Sequence, residues 1–134
     1  MTDVHLRILI LDDDLIFLRA LARKLRAEGH EVTALSEPTL FFEAGGAELV
    51  ADFDVAILDL EMKDHDMVAL GETMTGLVDV VFHSGTGDDA LRRRAKAVAT
   101  FTSKDQGDAL MARLERVAET KKAETKGKEG RRRR

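Results

Sequence analysis

ILILDDD, residues 8–14, runs four aliphatic side chains directly into three consecutive acids. From residue 6 to residue 11 the chain is almost continuously apolar, the pattern of a central strand covered on both faces. Beyond the acids, Leu18, Leu21, Ala22 and Leu25 recur at helical spacing, and Gly29 stands where such a helix would stop. Asp14, immediately before that helical pattern, suits an N-cap. Capping accounts for one acid of the three. Carboxylates crowded into a partly desolvated crevice repel unless one takes a proton or a cation lies between them.

The same alternation recurs along the chain. Residues 31–35 read as a short strand, and Pro38, the only proline, fits the first turn of a helix behind Ser36 or Glu37. Gly45 and Gly46 weaken that helix. Residues 53–58 form another apolar strand, which ends at Asp59. A short helix at 67–74 leads through Gly76 to a strand at 78–83. A helix at 88–97, a strand at 98–102 and an amphipathic helix at 108–118 complete the series. Five strands alternating with five helices predict a doubly wound α/β domain, because each parallel crossover needs a helix to span it. In such sheets ligands bind outside the carboxyl ends of the strands, where strand order reverses. Asp12, Asp13, Asp59, Ser84 and Lys104 all follow or end predicted strands, so this fold would bring them together.

Composition narrows the chemistry. The 134 residues suffice for one domain with one core, and 44% hydrophobic against 34% charged residues argues for a folded chain. Six Phe with no Trp or Tyr make that core mainly aliphatic. The absence of cysteine excludes disulfides and thiolate metal sites. No apolar stretch reaches the length of a membrane span and no basic-then-apolar leader opens the chain, so the expected location is the cytoplasm. His5, His30, His65 and His83 are scattered without zinc-ligand spacing. His65 and His83 are candidates to edge the pocket.

Charge is divided unevenly. Residues 1–118 carry 13 Lys or Arg against 22 Asp or Glu, a balance of −9; residues 119–134 carry 8 against 3, a balance of +5. The body at 1–118 is read as one domain. The basic stretch 119–134 has no apolar face and is expected to be a mobile extension, available to an acidic partner, nucleic acid or an anionic membrane surface. Without interleaved aromatics it is not suited to base stacking.

Two motif matches fail on chemistry. GTGDDA, residues 85–90, fits a loose dinucleotide-binding pattern, but Asp88 and Asp89 would repel a pyrophosphate. Ser84 is not a hydrolase nucleophile, because Phe82 stands where that motif needs glycine. What remains is an acidic pocket with a hydroxyl and one lysine. Mg²⁺ suits it, since that ion prefers oxygen ligands and commonly sits between carboxylates and a phosphate. The set describes a site for a phosphoryl group.

ILILDDD, VAILDLEM, FHSG and FTSK, in this order and spacing, resemble the receiver domain of bacterial two-component response regulators over residues 6 to about 118. The resemblance implies a flavodoxin-like sheet of order 2-1-3-4-5. It makes Asp59 the acceptor of a phosphoryl group from a sensor histidine kinase or phosphotransfer protein. Asp12, Asp13, Asp59 and the backbone carbonyl of Glu61 would hold Mg²⁺. Ser84 and Lys104 would bind phosphoryl oxygens, and Phe101 would change rotamer as Ser84 is drawn inward. The Glu61 side chain, two residues beyond the acceptor, is expected to modulate dephosphorylation. The implied protein is a stand-alone response regulator that catalyses its own phosphorylation and signals to a downstream protein by contact.

The chain also departs from that pattern. Asp105 replaces the family's usual proline after the lysine, and the loop after the acceptor reads MKDHDM. The interval from Asp59 to Ser84 is 25 residues, a little short, which predicts a truncated third helix. These departures support an alternative, a receiver-like interaction module that works without phosphorylation.

Overall fold

The computed structural model describes the backbone of residues 4–43 and 45–132, and the side chains of these except 47 and 125–132. The elements run β1 (Arg7–Leu11), α1 (Leu15–Ala27), β2 (Glu31–Leu35), α2 (Pro38–Glu43), α3 (Ala47–Val50) and β3 (Val55–Leu58), then α4 (Met67–Met74), β4 (Asp79–Ser84), α5 (Asp89–Val98), β5 (Thr100–Ser103) and α6 (Gly107–Arg132). All five strands are parallel, in the order β2-β1-β3-β4-β5. This is the doubly wound, flavodoxin-like sheet expected from the alternation and the resemblance.

Strand alternation divides the core in two. Ile8 and Ile10 of β1 join Val55, Ile57 and Val81 on one face, covered by Leu18, Leu21 and Leu25 of α1 and Leu110, Leu114 and Val117 of α6. Leu9 and Leu11 join Ala56, Leu58, Val80 and Phe82 on the other, under Phe41, Val50, Met67, Val68, Met74 and Ala95. Each aliphatic side chain taken fully out of water contributes about 1.5–3 kcal/mol, so β1, buried from Ile8 to Leu11, anchors both layers.

Local chemistry sets the boundaries. Gly29, at φ +95°, ends α1 in a left-handed turn: its N–H bonds Arg26 O at 3.0 Å and the His30 N–H bonds Leu25 O at 3.1 Å. Gly71 lets α4 lie close on β4, since a Cβ there would come within 2.5 Å of the Phe82 ring. α4 has 8 residues, in keeping with the short interval between Asp59 and Ser84.

Two expectations are corrected. The single helix after β2 is two short ones, α2 and α3, separated by Gly45 and Gly46 at φ +125° and +55°, a conformation that interrupts α-helix; the described residues therefore carry six helices rather than five. The last helix does not stop at 118: α6 continues as far as Arg132. Lys121 ties this continuation to the body, its ammonium donating to His5 O at 3.0 Å and to Asp54 at 2.9 Å. Residues 133–134, the end of the basic stretch, lie outside the described residues. Among the described residues no helix is long and apolar enough to cross a membrane.

Candidate functional site

The strand-end residues meet because the sheet is parallel. β1 ends at Leu11, paired with Leu58 at the end of β3, so Asp12 and Asp59 emerge side by side where strand order reverses. The ladder continues one residue further, with the Asp59 N–H on Leu11 O at 2.9 Å and the Lys104 N–H on Ser84 O at 3.1 Å. Asp14 turns away to cap α1, accepting from the Phe17 N–H at 3.2 Å. One oxygen each from Asp12, Asp13 and Asp59 lies within 4.8 Å of the others. Asp13 is exposed, whereas Asp12 and Asp59 are only 2% and 4% exposed.

Lys104 spans the acids. Its ammonium lies 2.8 Å from Asp12 Oδ2 and 3.3 Å from Asp59 Oδ2. The remaining oxygens of the buried pair take backbone donors: Asp12 Oδ1 accepts from Asp14 N–H at 2.9 Å, and Asp59 Oδ1 from Glu61 N–H at 3.2 Å. Burial pushes the Asp12 carboxyl up to about 6, and the nearby Asp59 charge adds to this against the opposing pull of Lys104 and the Asp14 amide. Burial works against the charge on Lys104, but its bonds to Asp12 and its attraction to Asp59 outweigh it and raise its pKa. One cation for three carboxylates leaves the pocket short of positive charge.

Ser84 is fully buried at the end of β4, where its Oγ accepts from the Thr86 N–H at 3.3 Å. Thr86 in turn caps the next turn through Asp88 N–H at 3.1 Å, and its carbonyl accepts from Arg92 Nε at 2.7 Å. Phe101 is half-buried on β5, with the Arg92 guanidinium 5.6 Å and the Lys96 ammonium 5.8 Å from its ring centre. The Glu61 side chain is exposed. Asp105 does not pair with Lys104; it accepts a hydrogen bond from the Ser103 hydroxyl.

The two histidines part company. His65, with Asp13, Ser36, Lys63 and Asp64, lines an open cleft of about 400 Å³ beside the acids. His83 is buried beneath the site. The Thr102 hydroxyl donates to Phe82 O at 3.2 Å, so the 2.7 Å contact to His83 is donated by its Nδ1–H. Burial, helped by the Lys104 charge, lowers the His83 pKa and so favours the neutral ring.

Phe17, Thr86, Arg92 and Thr102 were not legible as site residues from sequence. Phe17 alone carried a signal: it is one of few aromatics and sits in the first turn after the acids, where its ring centre lies 4.5 Å from the Lys104 ammonium.

No family model matches the chain, and no curated protein sequence matches it. Solved structures do. A response regulator receiver protein from Burkholderia phymatum is 26% identical, with 81% of this chain and 90% of that one covered at a TM-score of 0.66. A CheY-like receiver domain from Methanospirillum hungatei is 23% identical over 89% and 98% of the two chains, at 0.72. The chemotaxis protein CheY4 of Vibrio cholerae is 21% identical over 84% and 98%, at 0.69. Strand order, element sequence and these likenesses agree: the chain has the fold of a response regulator receiver domain.

Proposed function

We propose that this chain is a response regulator that accepts a phosphoryl group on Asp59 from the phosphohistidine of a sensor kinase or phosphotransfer protein, and signals by protein contact. The observation that carries the reading is the pocket where strand order reverses, in which Asp12, Asp13 and Asp59 converge within 4.8 Å and Lys104 bridges two of them. Each oxygen of Asp12 and Asp59 has a hydrogen-bond or ion-pair partner, but one ammonium serves three carboxylates.

The donor set fits Mg²⁺, being all oxygen, acidic and open on the Asp13 side. Asp12, Asp13 and Asp59, with the Glu61 backbone carbonyl, would hold the ion, which when bound supplies positive charge beside the phosphoryl oxygens. An Asp59 carboxylate oxygen attacks phosphorus, forming the O–P bond as the N–P bond of the phosphohistidine breaks and the imidazole leaves with the electron pair. Lys104 moves its ammonium from Asp12 to a phosphoryl oxygen. Ser84 accepts from Thr86 N–H and therefore retains its own hydroxyl proton to donate to the phosphoryl group. Drawing Ser84 inward pulls on the Thr86 turn, and through Arg92 on the surroundings of Phe101.

Incubation with Mg²⁺ and acetyl phosphate, beside an Asp59→Ala control, tests the reading. An acid-stable, base-labile acyl phosphate on the wild type alone is expected, with a changed environment at Phe101. Failure of both acetyl phosphate and a cognate kinase on folded protein would instead favour a phosphorylation-independent interaction module.

A further inference from the structure

Lysine is a point charge on a flexible four-carbon stem, so a catalytic lysine needs something that limits where its ammonium can go. Three groups surround the ammonium of Lys104: Asp12 at 2.8 Å, Asp59 at 3.3 Å, and the face of Phe17, with the ring centre at 4.5 Å. In the proposed phosphoryl transfer both acids change their engagement, whereas a phenyl ring takes no part in the bonds made or broken.

Phe17 is also held in place. Its N–H is fixed by Asp14, in the same acidic turn that carries Asp12 and Asp13. The His83 ring packs against its ring, centroids 5.5 Å apart and planes at 38°. His83 bonds Thr102, and Thr102 bonds the Phe82 carbonyl. A chain of contacts from β4 and β5 thus braces an aromatic face on α1 against the ammonium that leaves β5. An aliphatic residue at 17 would fill the space without attracting the charge; a benzene face presents negative quadrupole to it.

We infer that Phe17 is a positioning residue for phosphoryl transfer, holding the Lys104 ammonium over the Asp59 carboxylate by a cation–π contact that survives the loss of its bonds to the acids. The inference rests on Asp59 being the phosphoacceptor.

Two measurements test it. In wild-type protein, the Lys104 Cε protons, assigned by comparison with Lys104→Arg, should show an upfield ring-current shift both without and with Mg²⁺, and Phe17→Leu should abolish it. With Mg²⁺ and acetyl phosphate, Phe17→Leu should slow the maximal phosphorylation rate of Asp59 about three- to tenfold, the worth of a partly desolvated cation–π contact, and Phe17→Trp should restore it. Should Phe17→Leu fail to fold, Phe17→Met takes its place and the wild-type shift is read directly. Ordinary Cε shifts in the wild type, or an unchanged rate in the aliphatic variant, would overturn the inference while leaving the phosphoacceptor reading standing. Absence of phosphorylation of the folded wild type by both acetyl phosphate and a cognate kinase would overturn both.

Discussion

The two ends of the sheet handle acidic side chains in opposite ways. At the amino end, Asp54 accepts from the Arg7 N–H at 2.8 Å and is faced by Lys121 at 2.9 Å and the Arg7 guanidinium at 3.9 Å. One acid has two cations. At the carboxyl end, three acids converge and one lysine bridges two of them. The first arrangement closes its own electrostatics and pins α6 to the body; the second leaves a deficit of positive charge that the fold alone does not fill. The first suits a structural contact, and the second suits the ligand that the proposed function requires.

The largest effect expected from breaking this contrast is at Asp59. Asp59→Ala should reduce acyl phosphate formation below detection, at least 100-fold by acid-gel or intact-mass measurement, with the circular dichroism of a folded chain retained. Next, Lys104→Ala should cost about 2–4 kcal/mol in denaturant unfolding without metal, because it leaves buried carboxylates unpaired. Mg²⁺ should recover more of that loss than it adds to the wild type. A deficit unaffected by Mg²⁺ would show the lysine to be structural.

Asp12 sharpens the comparison through pH. Its folded pKa of about 6 lies above the ordinary value of 3.8, so its contribution to stability is fully present below 3.8 and is lost as pH rises through 6. Asp12→Asn, which mimics the protonated form, should therefore stabilise the metal-free protein by about 1–2 kcal/mol at pH 7.5. That advantage should shrink as pH falls from 7 toward 5, where His30 and His83, both held below the usual histidine range chiefly by burial, begin to act on wild type and variant alike. Thermal melts of both proteins in chelator across this range measure it; a constant difference would place the cost elsewhere.

Smaller effects remain. The Glu61 N–H holds Asp59 Oδ1, and under the proposed function its exposed carboxylate would disfavour an attacking hydroxide-like water. Glu61→Asn should change the rate of acyl phosphate hydrolysis by about two- to fivefold, roughly 1 kcal/mol or less of barrier; an equal rate removes that role. Lys121→Ala should cost only about 0.5–1 kcal/mol, reduced further by salt and indifferent to Mg²⁺. A Mg²⁺ response there would break the distinction between the two ends.

Much of the fold was legible because its signals are local. The run into Asp12 read as a buried strand, Asp14 as a cap, Pro38 as a helix start and Gly29 as a helix end, and each stands so in the structure. The errors fell where local signals compete with packing. Gly45 and Gly46 weaken a helix on paper; only the positive φ at both shows a break between two. Composition marked residues 119–134 as polar, but α-helix propagates cheaply from a packed turn, and Lys121 finds Asp54 and His5 across the amino end of the sheet. Asp105 looked like an acid beside Lys104, yet its carboxylate turns to the Ser103 hydroxyl.

By itself, then, the sequence determined the parallel sheet and the roster of acids, hydroxyl and lysine at its strand ends, since apolar periodicity and residue type act over a few neighbours. Only the tertiary structure decided which of those groups touch. The bridge from Lys104 to Asp12, the turn of Asp105 toward Ser103, and the ring of Phe17 against the ammonium depend on crossover geometry and side-chain direction. Residues from α1 and from the ends of β1 and β3 converge on one charge, and no local pattern records where such paths meet.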